Sequence, residues 1–321
     1  MPTARFPQAG FPQCGRRVAT TVLAIAAAHA AVAAGPVRVP SDRLPNAVQV
    51  HPQVLSGGQP ADEAAFAELS RRGIKTVISV DGARPQVEAA ARHGLRYVHL
   101  PHGYDGISAE RLRTLARALR DLEGPFYIHC HHGKHRSPAA AAAACVAAGW
   151  TSPEAAPAVL ALAGTSPHYL GLWGAARGAR RLEPVELDGV QDAFPEVVEG
   201  TPMVEAMVAL DEAHEHARRL AAEHRENLSA ASAAEAAHAA LLLGEHFAEL
   251  LRLDEVQRQP AEFRVLLHES QKAVGVWETA LRGTPAGSAP PAAAGRAAAT
   301  IAESCTACHR QFRDVPRPPR E

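Results

Sequence analysis

From about Ser41 to Glu183, short β-branched runs alternate with longer stretches of helical period. Val54-Leu55 reads as a strand and Ala61–Arg72 as a helix. Thr76–Val80, Tyr97–Leu100 and Phe126–His129 are further strands, separated by helices over Gln86–His93 and Ser108–Leu122. Ser108 is placed to accept from the first turn of its helix. A helix opening at Pro138 runs through six alanines and stops near Gly149. Strands that alternate with helices predict an α/β domain, a central sheet flanked by helices.

After about Pro195 the strand pattern stops. Thr201–Ala222, Leu228–Leu253, Ala261–Leu281 and Ala292–Arg313 keep helical period, broken near Asn227, at Pro260 and across Gly283–Pro291. Four helices with short loops predict an all-α four-helix bundle. The expected organisation is an α/β domain over 41–183, a linker over 184–200 and a bundle over 201–315.

The N-terminus changes the picture of where this chain works. Arg5, Arg16 and Arg17 precede an apolar and small stretch, Val18–Ala34, that ends in Ala31-Val32-Ala33. Basic, apolar and small segments in that order read as a signal peptide over 1–34, cut near Ala33 or Ala34. The stretch is alanine-rich and too weakly apolar for a stable membrane anchor. The mature chain is expected in the periplasm, by a general or twin-arginine route, and Cys14 leaves with the signal. A balance of 33 basic and 34 acidic residues excludes a nucleic-acid binder held by bulk phosphate attraction. Any taste for anions must be local. Five cysteines in 321 residues are too few for a disulfide scaffold.

The local candidate is His129-Cys130-His131-His132-Gly133-Lys134-His135-Arg136-Ser137, between a strand and a helix. Such a loop can turn backbone N–H groups inward around a phosphate, and the helix N-terminus adds partial positive charge. An anionic sulfur is favoured in the same place, which makes Cys130 the candidate nucleophile. Arg136 can grip two phosphate oxygens as a planar fork. Ser137 can hydrogen-bond the sulfur and help it leave. His131, His132, Gly133, Lys134 and His135 complete a basic phosphate-binding loop. Cys145, eight residues into the helix from Ser137, is too far for a disulfide with Cys130. His51, His93, His99 and His168 read as fillers.

His-Cys, five residues, then Arg-Ser resembles the signature of cysteine-dependent protein tyrosine and dual-specificity phosphatases. Ser56-Gly57-Gly58-Gln59-Pro60 and Thr76–Val80 extend the resemblance to roughly residues 45–182. It implies that Cys130 attacks phosphorus to form a phosphocysteine that water then hydrolyses. It also implies an aspartic acid on the loop after the preceding strand, to protonate the leaving oxygen. Asp105, 25 residues before Cys130, fits that position; Asp81, also at a strand end, is the alternative.

Cys305-Thr306-Ala307-Cys308-His309 is a C-x-x-C-H sequence, whose thiols can bond the two vinyl groups of one haem while the histidine reaches iron. No second cysteine pair offers a zinc site. Ile301, Cys305, Cys308 and Phe312 share one face of the last helix. A C-x-x-C-H there resembles cytochrome c′ and its low-spin relatives over about residues 196–315, and implies one covalent haem c with His309 as axial ligand. Met207 is the expected sixth ligand, Met203 the next, and a five-coordinate iron the alternative. His238 and His246 read as bland.

These readings combine into an exported phosphomonoesterase fused to a haem domain for redox or gas sensing. Its partners would be a phosphorylated protein or small phosphomonoester and a redox partner or diatomic gas. The phosphatase step needs no metal. The rival is a cytochrome for electron transfer or gas binding whose α/β half only binds anions or does sulfur or redox chemistry.

Overall fold

The computed structural model describes Met1 and residues 35–189, 193–227 and 229–316. The expected export segment lies outside the described residues. Among those described, no helix is long and apolar enough to cross a membrane.

The first half runs β1 (Val37–Arg38), β2 (Val48–His51), β3 (Val54–Gly58), α1 (Glu63–Arg71), β4 (Thr76–Ser79), α2 (Val87–Arg92), β5 (Arg96–His99), α3 (Ala109–Asp121), β6 (Phe126–Cys130) and α4 (Arg136–Ala147). Three short helices follow: α5 (Ala156–Ala163), α6 (Leu170–Gly178) and α7 (Pro184–Asp188). The strands form one mixed sheet in the order β1-β2-β3-β6-β4-β5. β3, β6, β4 and β5 pair in parallel, while β1 and β2 add an antiparallel edge. β6 is central, and all five of its residues are buried. That explains its run of Phe126-Tyr127-Ile128 without polar alternation.

α4 is buried on every side from Ser137 to Ala147. It packs against α3, α5, α6 and the sheet together. Only a helix of small residues can be approached so closely all round, and alanine is also the best helix former. Gly149 ends it with φ +75°, while Trp150 N–H donates to the Cys145 carbonyl and Gly149 N–H to that of Val146. This is a left-handed terminator that a Cβ would strain. Ser108 caps α3 as expected, accepting from Arg111 N–H.

Two boundaries differ from the sequence reading. The sheet begins at Val37, before Ser41, because β1 borrows its pairing from β2. The stretch 184–200 is not a free linker. It holds α7, and the His99 N–H donates to the Pro195 carbonyl while Val198 N–H donates to His99 Nδ1. The segment fastens along the edge strand β5, whose unpaired groups are thereby partly satisfied.

The helix-rich remainder contains α8 (Pro202–Asn227), α9 (Ala230–Arg252), the short α10 (Asp254–Gln257), α11 (Ala261–Arg282) and α12 (Ala292–Cys308). α12 gives way at His309 to one π-helical turn, His309–Arg313, where the sequence reading had one continuous α-helix. The four long helices share an apolar core that includes Leu210, Leu243, Phe247, Trp277 and Ile301. α8 packs on α9, α9 on α11 and α11 on α12, whereas α8 and α12 barely touch. A groove of about 460 Å³ lies between them, walled by Ala221, Ala222, Ala294, Gly295 and Ala298.

Candidate active site and the second cysteine site

The loop after β6 leaves the carboxyl end of the central strand, between β3 and β4, where open α/β sheets form their crevices. Gly133, at φ +72°, turns the loop, and a Cβ there would meet Gly58 N at 2.3 Å. Its neighbour segments are tied by Gln59 N–H to the His131 carbonyl and Asn46 Nδ2 to the His132 carbonyl, the latter at 2.7 Å. The N–H groups of His132, Gly133, Lys134 and His135 have no acceptor among the described residues. With the orphan donors at the start of α4, they form an anion cradle.

Cys130 is buried at the floor of this cradle. Ser137 Oγ lies 3.3 Å from its sulfur and donates to the Gly57 carbonyl at 2.9 Å. The hydroxyl has one proton, so supporting an anionic sulfur requires it to turn away from Gly57. Arg136 donates from Nη2 to Asp81 Oδ2 at 3.0 Å. Its Nε is buried without an acceptor among the described residues. A charged donor left unpaired in the interior is costly unless a ligand supplies the acceptor. The fork is half used.

Asp81 also accepts the His131 N–H through Oδ2 and the Ala83 N–H through Oδ1. Burial raises its carboxyl, but Arg136 and these two N–H donors outweigh burial and hold it below the ordinary aspartate range. An aspartate kept ionised this way is a poor proton donor. The structure therefore gives Asp81 a different task from the acid role weighed in the sequence: it anchors Arg136 and the first residue of the loop.

Asp105 sits in the loop between β5 and α3, with its carboxylate folded towards Gly103 and its carbonyl pressed against Gly171. The preceding residue, Tyr104, carries its ring 4.5 Å from the Arg136 guanidinium. That places the loop at the mouth of the cradle. Tyr169 and His135 stack near Tyr104, at 4.8 Å between the tyrosine rings and 4.6 Å between Tyr169 and His135.

Burial lessens the expected basicity of the loop at His132 and His135. His131 and His132 turn to the carboxylate of Glu215 on α8, at 3.3 and 3.4 Å. Burial, then the neighbouring positive groups, holds His135 at about 4. Burial also lowers His132. Turned to Glu215, the His131 and His132 side chains lie away from the cradle, to which His132 and His135 offer backbone N–H groups. Lys134 is exposed. Beneath the loop, His129 is buried, held by burial at about 4, and lies 2.6 Å from Tyr97 Oη. His102, whose buried Nε2 has no partner among the described residues, is a site neighbour that no motif marked.

At the second site, Cys308 is buried, Cys305 half-buried, and both are free thiols. Burial pushes each up to about 11. Protonated thiols of this kind are poor redox nucleophiles. Burial and Arg313 hold the His309 imidazole at about 3, so its lone pair is free for a ligand. On α8, Met203 and Met207 are partly buried against the same core as Cys305 and Cys308, and the buried Nε2 of His214 has no partner among the described residues. Two thiols and an imidazole within five residues, with thioethers on the facing helix, are a donor set that fits a covalently held haem.

No family model matches the sequence, and no curated protein matches it. Among solved structures, TpbA from P. aeruginosa is 22% identical with a TM-score of 0.39, over 48% of this chain and 92% of its own. A cysteine-to-serine form of TpbA in complex with phosphotyrosine is 21% identical, TM-score 0.40, over 50% of this chain and 96% of its own. The core catalytic domain of the PP-IP phosphatase SIW14 from S. cerevisiae, in complex with citrate, is 14% identical, TM-score 0.34, over 55% of this chain and 96% of its own. At these values the chemistry rests on the geometry described above and not on the likeness.

Proposed function

We propose that the chain is a cysteine-dependent phosphomonoesterase, exported to the periplasm and joined to a c-type haem domain built as a four-helix bundle. The observation that carries the phosphatase reading is the unpaired, buried Nε of Arg136 beside Cys130, beneath backbone N–H groups that have no acceptor among the described residues. A phosphate monoester supplies the missing acceptors. Cys130 Sγ then attacks phosphorus, the ester oxygen leaves with a proton from Asp105, and a phosphocysteine forms. Water releases phosphate, and the Ser137 hydroxyl turns to the departing sulfur. Asp81 keeps the Arg136 fork in plane throughout.

Cys305, Cys308 and His309 would hold the haem, with Met207, Met203 or His214 offered from α8. Bound there, the haem supplies electron transfer or diatomic-gas binding. The π-helical turn after His309 ends at Arg313, which reaches the mouth of the phosphate cradle, so the haem state can bear on substrate entry.

The test is phosphate release from an aryl phosphate by the full exported chain, with Cys130→Ser as its control. Equal release by both proteins removes the cysteine mechanism. Oxidised, reduced and carbon monoxide absorbance spectra of the same preparation test the haem; spectra without Soret bands remove it.

A further inference from the structure

Two consecutive histidines of the phosphate loop meet two carboxylates one helical turn apart on α8. His131 Nε2 lies 3.3 Å from Glu215 Oε2, and His132 Nε2 lies 3.4 Å from Glu215 Oε1. Asp211 joins them, and one donor atom from each of the four residues falls within 4.8 Å of the others. We infer that His131, His132, Asp211 and Glu215 form a binding site for a zinc-class divalent cation that clamps the phosphate loop to α8.

Three features point to a cation rather than to a simple polar contact. The donors are two imidazole nitrogens and two carboxylates, the mixture that borderline first-row divalent ions take. Neighbouring donors on a tetrahedral ion stand about 3.3–3.4 Å apart; each imidazole nitrogen is already that close to one Glu215 oxygen, and small side-chain movements would bring the four donors, now within 4.8 Å, onto one ion. Asp211 and Glu215 are also like charges at i and i+4, a pairing that destabilises a helix unless a positive charge lies between them. The rings of His131 and His132 stand edge to face, 4.4 Å between centroids, so both nitrogens reach one point from the same side. His132 and Asp211 are exposed, which leaves an entry path from solvent. Cys130 immediately precedes His131, so the ion would stiffen the loop that presents the nucleophile without touching the cradle.

The experiment uses the full haem-loaded chain carrying Cys130→Ser, which removes the one loop thiol that could take zinc itself. After chelator treatment, zinc is titrated against a competing chromophoric chelator. One ion per chain is expected, with affinity at least about 100-fold weaker in Asp211→Asn/Glu215→Gln. His132→Gln, on the opposite partner and largely exposed, should also weaken binding about 10-fold or more, with circular dichroism confirming that each variant is folded. X-ray absorption at the zinc edge should show nitrogen and oxygen neighbours at about 2.0–2.1 Å with imidazole scattering. No competition for zinc, sulfur in the first coordination shell, or unchanged affinity in the folded double variant would each overturn the site. Because the readout is metal binding, the result stands whether or not the chain hydrolyses phosphate.

Discussion

The guanidinium of Arg313 lies over the ring of Tyr104, 4.0 Å from its centroid. Arg313 is four residues past His309, and Tyr104 is one residue before Asp105. One cation–π contact thus joins the end of the C-x-x-C-H segment to the loop that carries the proposed acid. The same ring faces Arg136 at 4.5 Å, so two cations share one aromatic surface at the mouth of the cradle.

Arg313→Ala should therefore raise KM for an anionic aryl phosphate about 3- to 10-fold, the worth of one exposed cation–π contact and its charge. Steady-state kinetics should show kcat within about twofold, since Arg313 touches no reacting atom. An unchanged KM would mean that the contact does not shape substrate entry.

Arg136→Lys should lower kcat/KM by about 10²-fold or more, because an ammonium cannot make the two-oxygen grip. Vanadate binding should weaken in step. By contrast, Cys130→Ser should stop turnover and leave vanadate binding largely intact, since the N–H groups and the fork remain.

The two aspartates should separate in their signatures. Asp105→Asn should slow alkyl phosphates far more than nitrophenyl phosphate, because only the poor leaving group needs its proton. Asp81→Asn should slow both alike. It should also lower thermal stability, because removing one partner of a buried ion pair costs about 3–5 kcal/mol. Leaving-group dependence measured on both variants decides this assignment.

Acid should loosen the α/β half in a definite window. His129 and His102 are held by burial at about 4, against 6.5 for the ordinary side chain. Between those values the unfolded chain binds more protons than the folded one. Their stabilisation is complete above pH 6.5 and is lost as pH falls towards 4. Below that, protonation of Asp81 releases Arg136 and removes a further contribution, since its folded value lies below the unfolded one. Thermal midpoints should be level from pH 7.5 to 6.5 and fall from pH 6.5 to 4, and His129→Gln should flatten that fall.

Haem should stay with the exported chain through denaturing gel electrophoresis, and Cys305→Ala/Cys308→Ala should lose it. Cytoplasmic production without residues 1–34 should give a chain with little haem and a less stable helical half, since a bound group stabilises only the folded state. A haem-free helical half that unfolds cooperatively at the same temperature as the loaded one would count against this reading.

What the sequence determined is what local chemistry can specify. Apolar period placed β3 to β6, α3, α4 and the four long helices to within a few residues. The candidate loop from Cys130 to Ser137 and the candidate haem segment from Cys305 to His309 were visible as motifs because the residues each proposal needs are contiguous. The tertiary structure alone decided which groups meet across long gaps. Asp81 and Arg136 are 55 residues apart, and no pattern in either segment shows that one anchors the other. His131 and Glu215 are 84 apart, and their meeting drew two loop histidines outward, where the loop's composition implied basic groups turned in. The short edge strands β1 and β2 and the fastening of 184–200 along β5 were missed for the same cause. Their order comes from hydrogen bonds to distant backbone, and backbone groups are the same at every residue, so the side-chain pattern carries no mark of them.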